Sequence, residues 1–235
     1  MIPLWEPPAL VDSASEIASF LAALRSPGEV VELRALKVPM GYGKPQTVSG
    51  YFRVPEHMPN LLNAVSQLDQ AGGVYVTLNP VHPSLLSRYH ARVQSSPENT
   101  TSDQEIVRRM RLLVDIDPTR FTGIGASEAE KLAAWEVALR VRDDRKAKGW
   151  TEPLVCDSGN GYHLIYAVDL PPDDGGKVKM ILNSLATRFN TSQATIDTST
   201  FNPSRIVKLP GTYARKGDDT PERPHRMARL LEVPQ

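Results

Sequence analysis

Apolar residues recur at helical spacing through Ile17, Phe20, Leu21 and Leu24. Ser13 and Glu16 form a capping box ahead of them, and Pro27-Gly28 ends the element. The period then changes. Residues 30–38 and 47–54 flank a Gly- and Pro-rich turn, Gly41-Tyr42-Gly43-Lys44-Pro45, and read as a β-hairpin. A second helix is expected over 59–68, and Gly72-Gly73 breaks the chain before a short strand, 74–78, that ends at Asn79-Pro80. Residues 94–102 are rich in Ser, Asn, Thr and Pro without periodicity, which marks a mobile loop or subdomain junction. Beyond it the pattern predicts an apolar strand at 112–117 and a helix opening near Ser127, with Glu130 as a second capping box, that runs to about Lys148. Strands at 153–157 and 162–168, a helix over 176–189 and final strands near Ile206 and Met227 follow. The expected fold class is α+β (α/β), with a boundary near residue 100 and a later half built as a small sheet covered by helices.

The richest stretch chemically is Leu112-Leu113-Val114-Asp115-Ile116-Asp117-Pro118. Alternation in a strand puts Asp115 and Asp117 on one face, about 7 Å apart, with Leu112, Val114 and Ile116 on the other. Two like charges so placed call for a cation, and hard carboxylate oxygens suit Mg²⁺ or Mn²⁺. A solvated strand end before a proline turn is the plainer reading of the pair. A second constellation, Asp157-Ser158-Gly159-Asn160-Gly161-Tyr162-His163, places two glycines before a strand, where backbone N–H groups can approach an anion. In that strand Tyr162, Leu164, Tyr166 and Val168 share a face, and His163 points the other way beside Ile165. A tight hairpin with a satisfied histidine would look the same. The third, from Ile196-Asp197 through Asn202-Pro203-Ser204-Arg205-Ile206-Val207-Lys208, adds an acid at an element boundary and two cations. In a regular strand Arg205 and Lys208 face opposite ways, and the forked Arg205 is the better triphosphate clamp.

Charge changes this picture little at first, because 27 basic and 27 acidic residues cancel and argue against a nonspecific nucleic-acid glue. Between residues 205 and 229, however, seven Lys or Arg stand against three Asp or Glu, a balance of +4 that could lie along phosphates. Cys156 is the only cysteine, which excludes an internal disulfide framework and a multi-cysteine zinc site and fits a reducing cytoplasm. The stretch from Met1 to Pro8 lacks a basic n-region, and no apolar run approaches the roughly 18 residues of a membrane span, so a soluble cytoplasmic protein is expected.

Taken in order, Leu113-Val114-Asp115-Ile116-Asp117, Gly161-Tyr162-His163 and Ile196-Asp197 resemble the three motifs of the archaeo-eukaryotic primase superfamily, especially the small primase-polymerases of plasmids, phages and other mobile elements. The likeness extends upstream to Val74-Tyr75-Val76-Thr77-Leu78-Asn79-Pro80 and downstream through Arg215-Lys216-Gly217-Asp218 and Arg223-Pro224-His225-Arg226. It implies an N-terminal αβ subdomain, 1–100, packed on an RRM-like catalytic subdomain, 101–235, with the active-site cleft between them. It implies two Mg²⁺ or Mn²⁺ ions on Asp115, Asp117 and Asp197, and nucleotide contacts at Ser158, Gly159, Asn160, Gly161, His163, Arg205 and Lys208. Candidate contacts to a single-stranded or primed DNA template are Asn79, Arg215, Lys216, Arg223, His225 and Arg226. The implied activity is templated addition of NTPs or dNTPs to a 3′-hydroxyl, in a protein that can also work beside a helicase or accessory helical domain. The single cysteine rules out the zinc knuckle many members carry, which favours extension over independent priming. Two other readings are a noncatalytic nucleotide- or nucleic-acid-binding module and a replication-initiator nuclease. The second usually needs a His-x-His strand, which this sequence lacks.

Overall fold

Asp12 rather than Ser13 starts the first helix in the computed structural model, which describes residues 12–41 and 43–234. The stretch from Met1 to Pro8 and Tyr42 of the expected turn lie outside the described residues. The Asp12 carboxylate accepts the N–H groups of Ala14 and Ser15, so the expected Ser13/Glu16 capping box does not form. Glu16 is instead buried, and its Oε1 accepts the Leu230 N–H at 2.6 Å and lies 3.1 Å from Arg229 Nε. A residue expected to cap its own helix thus ties that helix to the far end of the chain.

In order the elements are α1 (Ser13–Leu24), β1 (Val30–Val38), β2 (Gln46–Arg53), α2 (Met58–Ser66), β3 (Gly73–Thr77), β4 (Val93–Ser95), β5 (Arg109–Pro118) and α3 (Glu128–Ala147). They continue as β6 (Leu154–Asp157), β7 (Tyr162–Leu170), α4 (Lys177–Phe189), β8 (Ala194–Ile196), β9 (Ile206–Lys208), β10 (Tyr213–Ala214), β11 (Arg226–Met227) and β12 (Arg229–Glu232). Two five-stranded sheets result, ordered β4-β2-β1-β3-β9 and β12-β6-β7-β5-β8, beside the ribbon β10-β11. The second capping box forms as expected, with Ser127 and Glu130 each satisfying the other's backbone at the start of α3. Among the described residues no helix is long and apolar enough to cross a membrane.

The alternation along β5 and β7 sorts side chains between two cores. Leu112, Val114, Ile116, Leu164 and Tyr166 pack on α3 and α4. Leu113, Leu154, Cys156 and Ile165, on the opposite face, join a cluster with Ile17, Phe20, Leu21 and Leu24 of α1 and with Val31, Leu33, Val74 and Val76 of the first sheet. Each of these large side chains contributes about 1.5–3 kcal/mol by leaving water, so α1 is the apolar joint between the sheets.

Several contacts cross the boundary expected near residue 100. Strand β9, from the later half, pairs with β3 and completes the first sheet (Tyr75 opposite Lys208, Val76 opposite Val207). The segment expected to be mobile holds β4, which pairs with β2, and its Thr101 N–H donates to the buried Glu32 carboxylate at 3.1 Å. Asn79 makes a further stitch. Its Oδ1 accepts the N–H groups of Met110 (2.8 Å) and Arg111 (3.0 Å), and its Nδ2 donates to the Pro203 carbonyl at 3.1 Å. Buried and fully engaged, Asn79 is a structural clamp between β3, β5 and the approach to β9 and does not present a template-binding side chain. Asn79→Ala strands two buried N–H groups and one carbonyl, so urea denaturation is expected to show a loss of about 2–4 kcal/mol.

Candidate active site

Where the α1 core ends, the space between the sheets opens into a cleft of about 260 Å³. Its floor is β5 and β7. Register places His163 opposite Asp115, with Nε2 3.4 Å from Asp115 Oδ1. On the other side of β5, Ile116 pairs with Ile196 and the Asp197 N–H donates to the Asp115 carbonyl at 2.8 Å. His163, Asp115 and Asp197 therefore occupy one row across three strands, and Asp117 lies two residues along. The backbone brings the three expected acids together, but the side chains do not all converge. Asp197 Oδ1 accepts the Ser199 N–H at 2.8 Å, and among the described residues no group of three or more His, Cys, Asp or Glu forms a metal-holding cluster.

The carboxylate pair nonetheless has the character of a cation site. Asp117 retains 44% of its side-chain exposure inside a concave cleft. Desolvation by the walls, and then the charge of Asp115, raise its pKa above the usual carboxylate range, while Arg120 and Lys216 oppose the rise. Arg120 Nη1 donates to Asp117 Oδ1 at 3.3 Å and to the Pro118 carbonyl at 3.2 Å, and Nε donates to the Ile124 carbonyl at 3.2 Å. Hard oxygens, incomplete neutralisation and access from the cleft fit one divalent ion on Asp115 and Asp117.

The facing wall is basic and aromatic. On β3 and β9, Val74, Val76 and Val207 enter the core while Tyr75, Ile206 and Lys208 line the cleft. Lys208 is only 4% exposed; its Nζ donates to the Tyr213 carbonyl at 2.7 Å and lies 5.4 Å from the centre of the Tyr75 ring. Burial, helped by the nearby Arg215 charge, lowers its pKa to about 7. Lys37, Arg215 and Lys216 also line the cleft. Lys216 is held below its ordinary pKa by desolvation and then by Arg120, against the pull of Asp117 and Asp115.

Several expected site residues have other occupations. The Gly159 N–H donates to Asp157 Oδ1 at 2.7 Å and the Gly161 N–H to Ser158 Oγ at 3.0 Å, so neither is free for an anion. Gly161 is required by packing, because a Cβ there would stand 2.3 Å from the Ile116 carbonyl oxygen. Ser158 and Asn160 do line the cleft, and Asn160 Oδ1 also accepts the Ala126 N–H at 2.8 Å. Arg205 does not line it; its guanidinium bonds the Ser199 carbonyl, and the strand alternation that turns it away delivers Lys208 instead. Arg223 and Arg226 pair with Glu130 and Glu128 in the first turn of α3, and His225 Nε2 lies 2.8 Å from the Gly217 carbonyl, so these three fasten the 215–226 segment. Lys37, Tyr75 and Arg120 were not expected. Only Arg120, three residues after Asp117, left a local signal; the other two depend on sheet pairing.

No protein-family model matches this sequence, and no curated protein matches it. Among solved structures, the catalytic domain of primase RepB′ in complex with initiator DNA is similar at a TM-score of 0.50 and 16% identity, over 95% of this chain and 86% of that one. This chain shares the α+β fold of that catalytic domain. A longer structure of primase RepB′ is similar at 0.49 and 17% identity over 94% of this chain, which spans 56% of that protein's length. The polymerase domain of Mycobacterium tuberculosis ligase D in complex with DNA is similar at 0.48 and 16% identity, over 91% and 78% of the two chains. Within this fold the cleft lies where the two sheets meet, with carboxylates on one wall and cations on the other.

Two outcomes follow from the electrostatics. Ionised Asp117 costs stability above its raised folded pKa, and the cost is relieved as pH falls through that value. Asp117→Asn should therefore raise the neutral-pH melting temperature in chelator while losing the increment that Mn²⁺ gives the native protein. For Lys208 the folded pKa lies below the ordinary 10.5, so the full cost of its charge is present below about pH 7 and stability rises from there towards pH 10.5. Lys208→Met should flatten that rise in denaturant titrations taken across the range.

Proposed function

We propose that this protein is a template-dependent nucleotidyltransferase, a primase or polymerase core that adds nucleotides to a 3′-hydroxyl on single-stranded DNA. The observation that carries this reading is the Asp115/Asp117 pair facing Lys208, Lys37 and Lys216 across one cleft. The two walls match the two ends of the chemistry. Asp115 and Asp117 would hold a divalent cation that lowers the pKa of the attacking hydroxyl and offsets charge on the reacting phosphate. Lys208, Lys37 and Arg120 would hold the triphosphate and offset the charge that collects on pyrophosphate as the bond from the α-phosphorus to its bridging oxygen breaks and the bond to the 3′-oxygen forms. His163, fixed in register against Asp115, orients that carboxylate. Asp197, whose backbone is already bonded to Asp115, would supply the third carboxylate after releasing the Ser199 N–H. Under this reading the 1–100 and 101–235 segments act as the two walls, with β9 returned to the first. Arg215 and Lys216 are the remaining candidates for contact with the template.

One observation favours the noncatalytic alternative, a module that holds nucleotide without turning it over: the Asp197 carboxylate is engaged elsewhere. A single assay separates the readings. With labelled dNTPs or NTPs, Mg²⁺ or Mn²⁺ and a single-stranded template with and without primer, the native chain is expected to lengthen the primer and release pyrophosphate. Asp115→Ala should lower incorporation by about 10²–10³-fold or more while circular dichroism stays native. Normal extension by folded Asp115→Ala would falsify the proposal. Nucleotide binding without pyrophosphate release would establish the alternative.

A further inference from the structure

Phe121 is the most exposed large apolar side chain among the described residues, at 85%. Isolated apolar residues on a surface are common, but this one differs in its support and its neighbours. It sits in the segment between β5 and α3, directly after Arg120, whose side chain is nearly buried and bonded to Asp117 Oδ1 and to the Pro118 and Ile124 carbonyls. The same segment is held from outside. The Arg223 Nη1 donates to the Gly125 carbonyl at 2.7 Å, and the Ala126 N–H donates to Asn160 Oδ1 at 2.8 Å. Gly217 packs so closely that a Cβ on it would stand 2.7 Å from the Gly123 carbonyl oxygen, at a backbone φ of +73°. The aromatic ring is thus exposed on a loop tied down from both sides, next in sequence to a cleft-lining arginine and two residues before the Gly123 that packs on the turn carrying cleft-lining Lys216.

We propose that Phe121 is a stacking platform for one base of the single-stranded nucleic acid that enters the cleft. A fixed aromatic face beside cations is the chemistry that holds single strands without sequence preference: the ring takes the base while Lys216 and Arg215 face the phosphates. The proposal rests on the nucleic-acid reading of the cleft, not on turnover. Its energetic share differs in kind from that of the cations, since stacking contributes little to the salt dependence of binding.

The test uses the full chain and a fluorescein-labelled single-stranded oligodeoxynucleotide read by anisotropy. Phe121→Ala is expected to raise Kd about 5- to 150-fold, the range given by one lost base–aromatic stack, with an unchanged slope of log Kd against log salt. Phe121→Trp should restore affinity and show indole quenching on adding the oligonucleotide, measured against the native protein. Binding of dNTP with Mn²⁺ should be the same in all three proteins. Native affinity in Phe121→Ala overturns the proposal, as does a concentration-dependent dimer lost in Phe121→Ala with DNA affinity intact. Primer extension is read in parallel. Phe121-dependent DNA binding without extension would retain this inference and remove the polymerase reading, and extension with native DNA affinity in Phe121→Ala would do the reverse.

Discussion

Strand β5 holds Asp115 and Asp117 two residues apart, about 7 Å of rise, and strand geometry gives them no way to separate. The surrounding chain answers that repulsion in three directions. His163 meets Asp115 from β7, Arg120 folds back from the loop onto Asp117, and Lys216 approaches from the segment fastened to α3. Desolvation by the cleft walls, and then the charge of Asp115, still leave Asp117 with a raised pKa. The opposite face of β5, with Leu112, Val114 and Ile116, is packed on α3 and α4, so the strand cannot roll, and its acids stay turned to the cleft, where Asp117 remains 44% exposed. The cleft therefore holds two acids side by side on one strand, opposite Lys208, which is itself buried.

What was legible in the sequence was local. The Ser127/Glu130 capping box starts α3, and the alternation from Tyr162 to Val168 assigns His163 to the face shared with Ile165. The carboxylates of β5 also face as alternation requires. The errors arose where a local signal met a distant partner. Glu16 has the spacing of a cap but satisfies the Leu230 N–H. The glycines at 159 and 161 look like an anion cradle, but their N–H groups close a turn and Gly161 makes room for Ile116.

The choice between Arg205 and Lys208 shows the limit most clearly. Side-chain chemistry favours the arginine, and alternation says only that the two diverge. Which one faces the cleft is decided by β9 pairing with β3, a contact across more than a hundred residues that leaves no trace in the period of either strand. Lys37 and Tyr75 were invisible for the same reason. Asn79, which the resemblance offers as a template contact, has its amide consumed by three backbone groups.

The β3–β9 pairing has a consequence for how the cleft is gauged. Tyr75 and Lys208 stand on neighbouring strands of one hydrogen-bonded ladder, and the chain that leaves Lys208 passes directly to Tyr213, whose carbonyl receives the Lys208 amine. The ladder sets the Cα spacing of the pair, and the bond from Nζ to the Tyr213 carbonyl holds the ammonium group 5.4 Å from the ring centre. A molecule entering the cleft meets an amine already spoken for, and drawing it away means giving up the Tyr213 carbonyl.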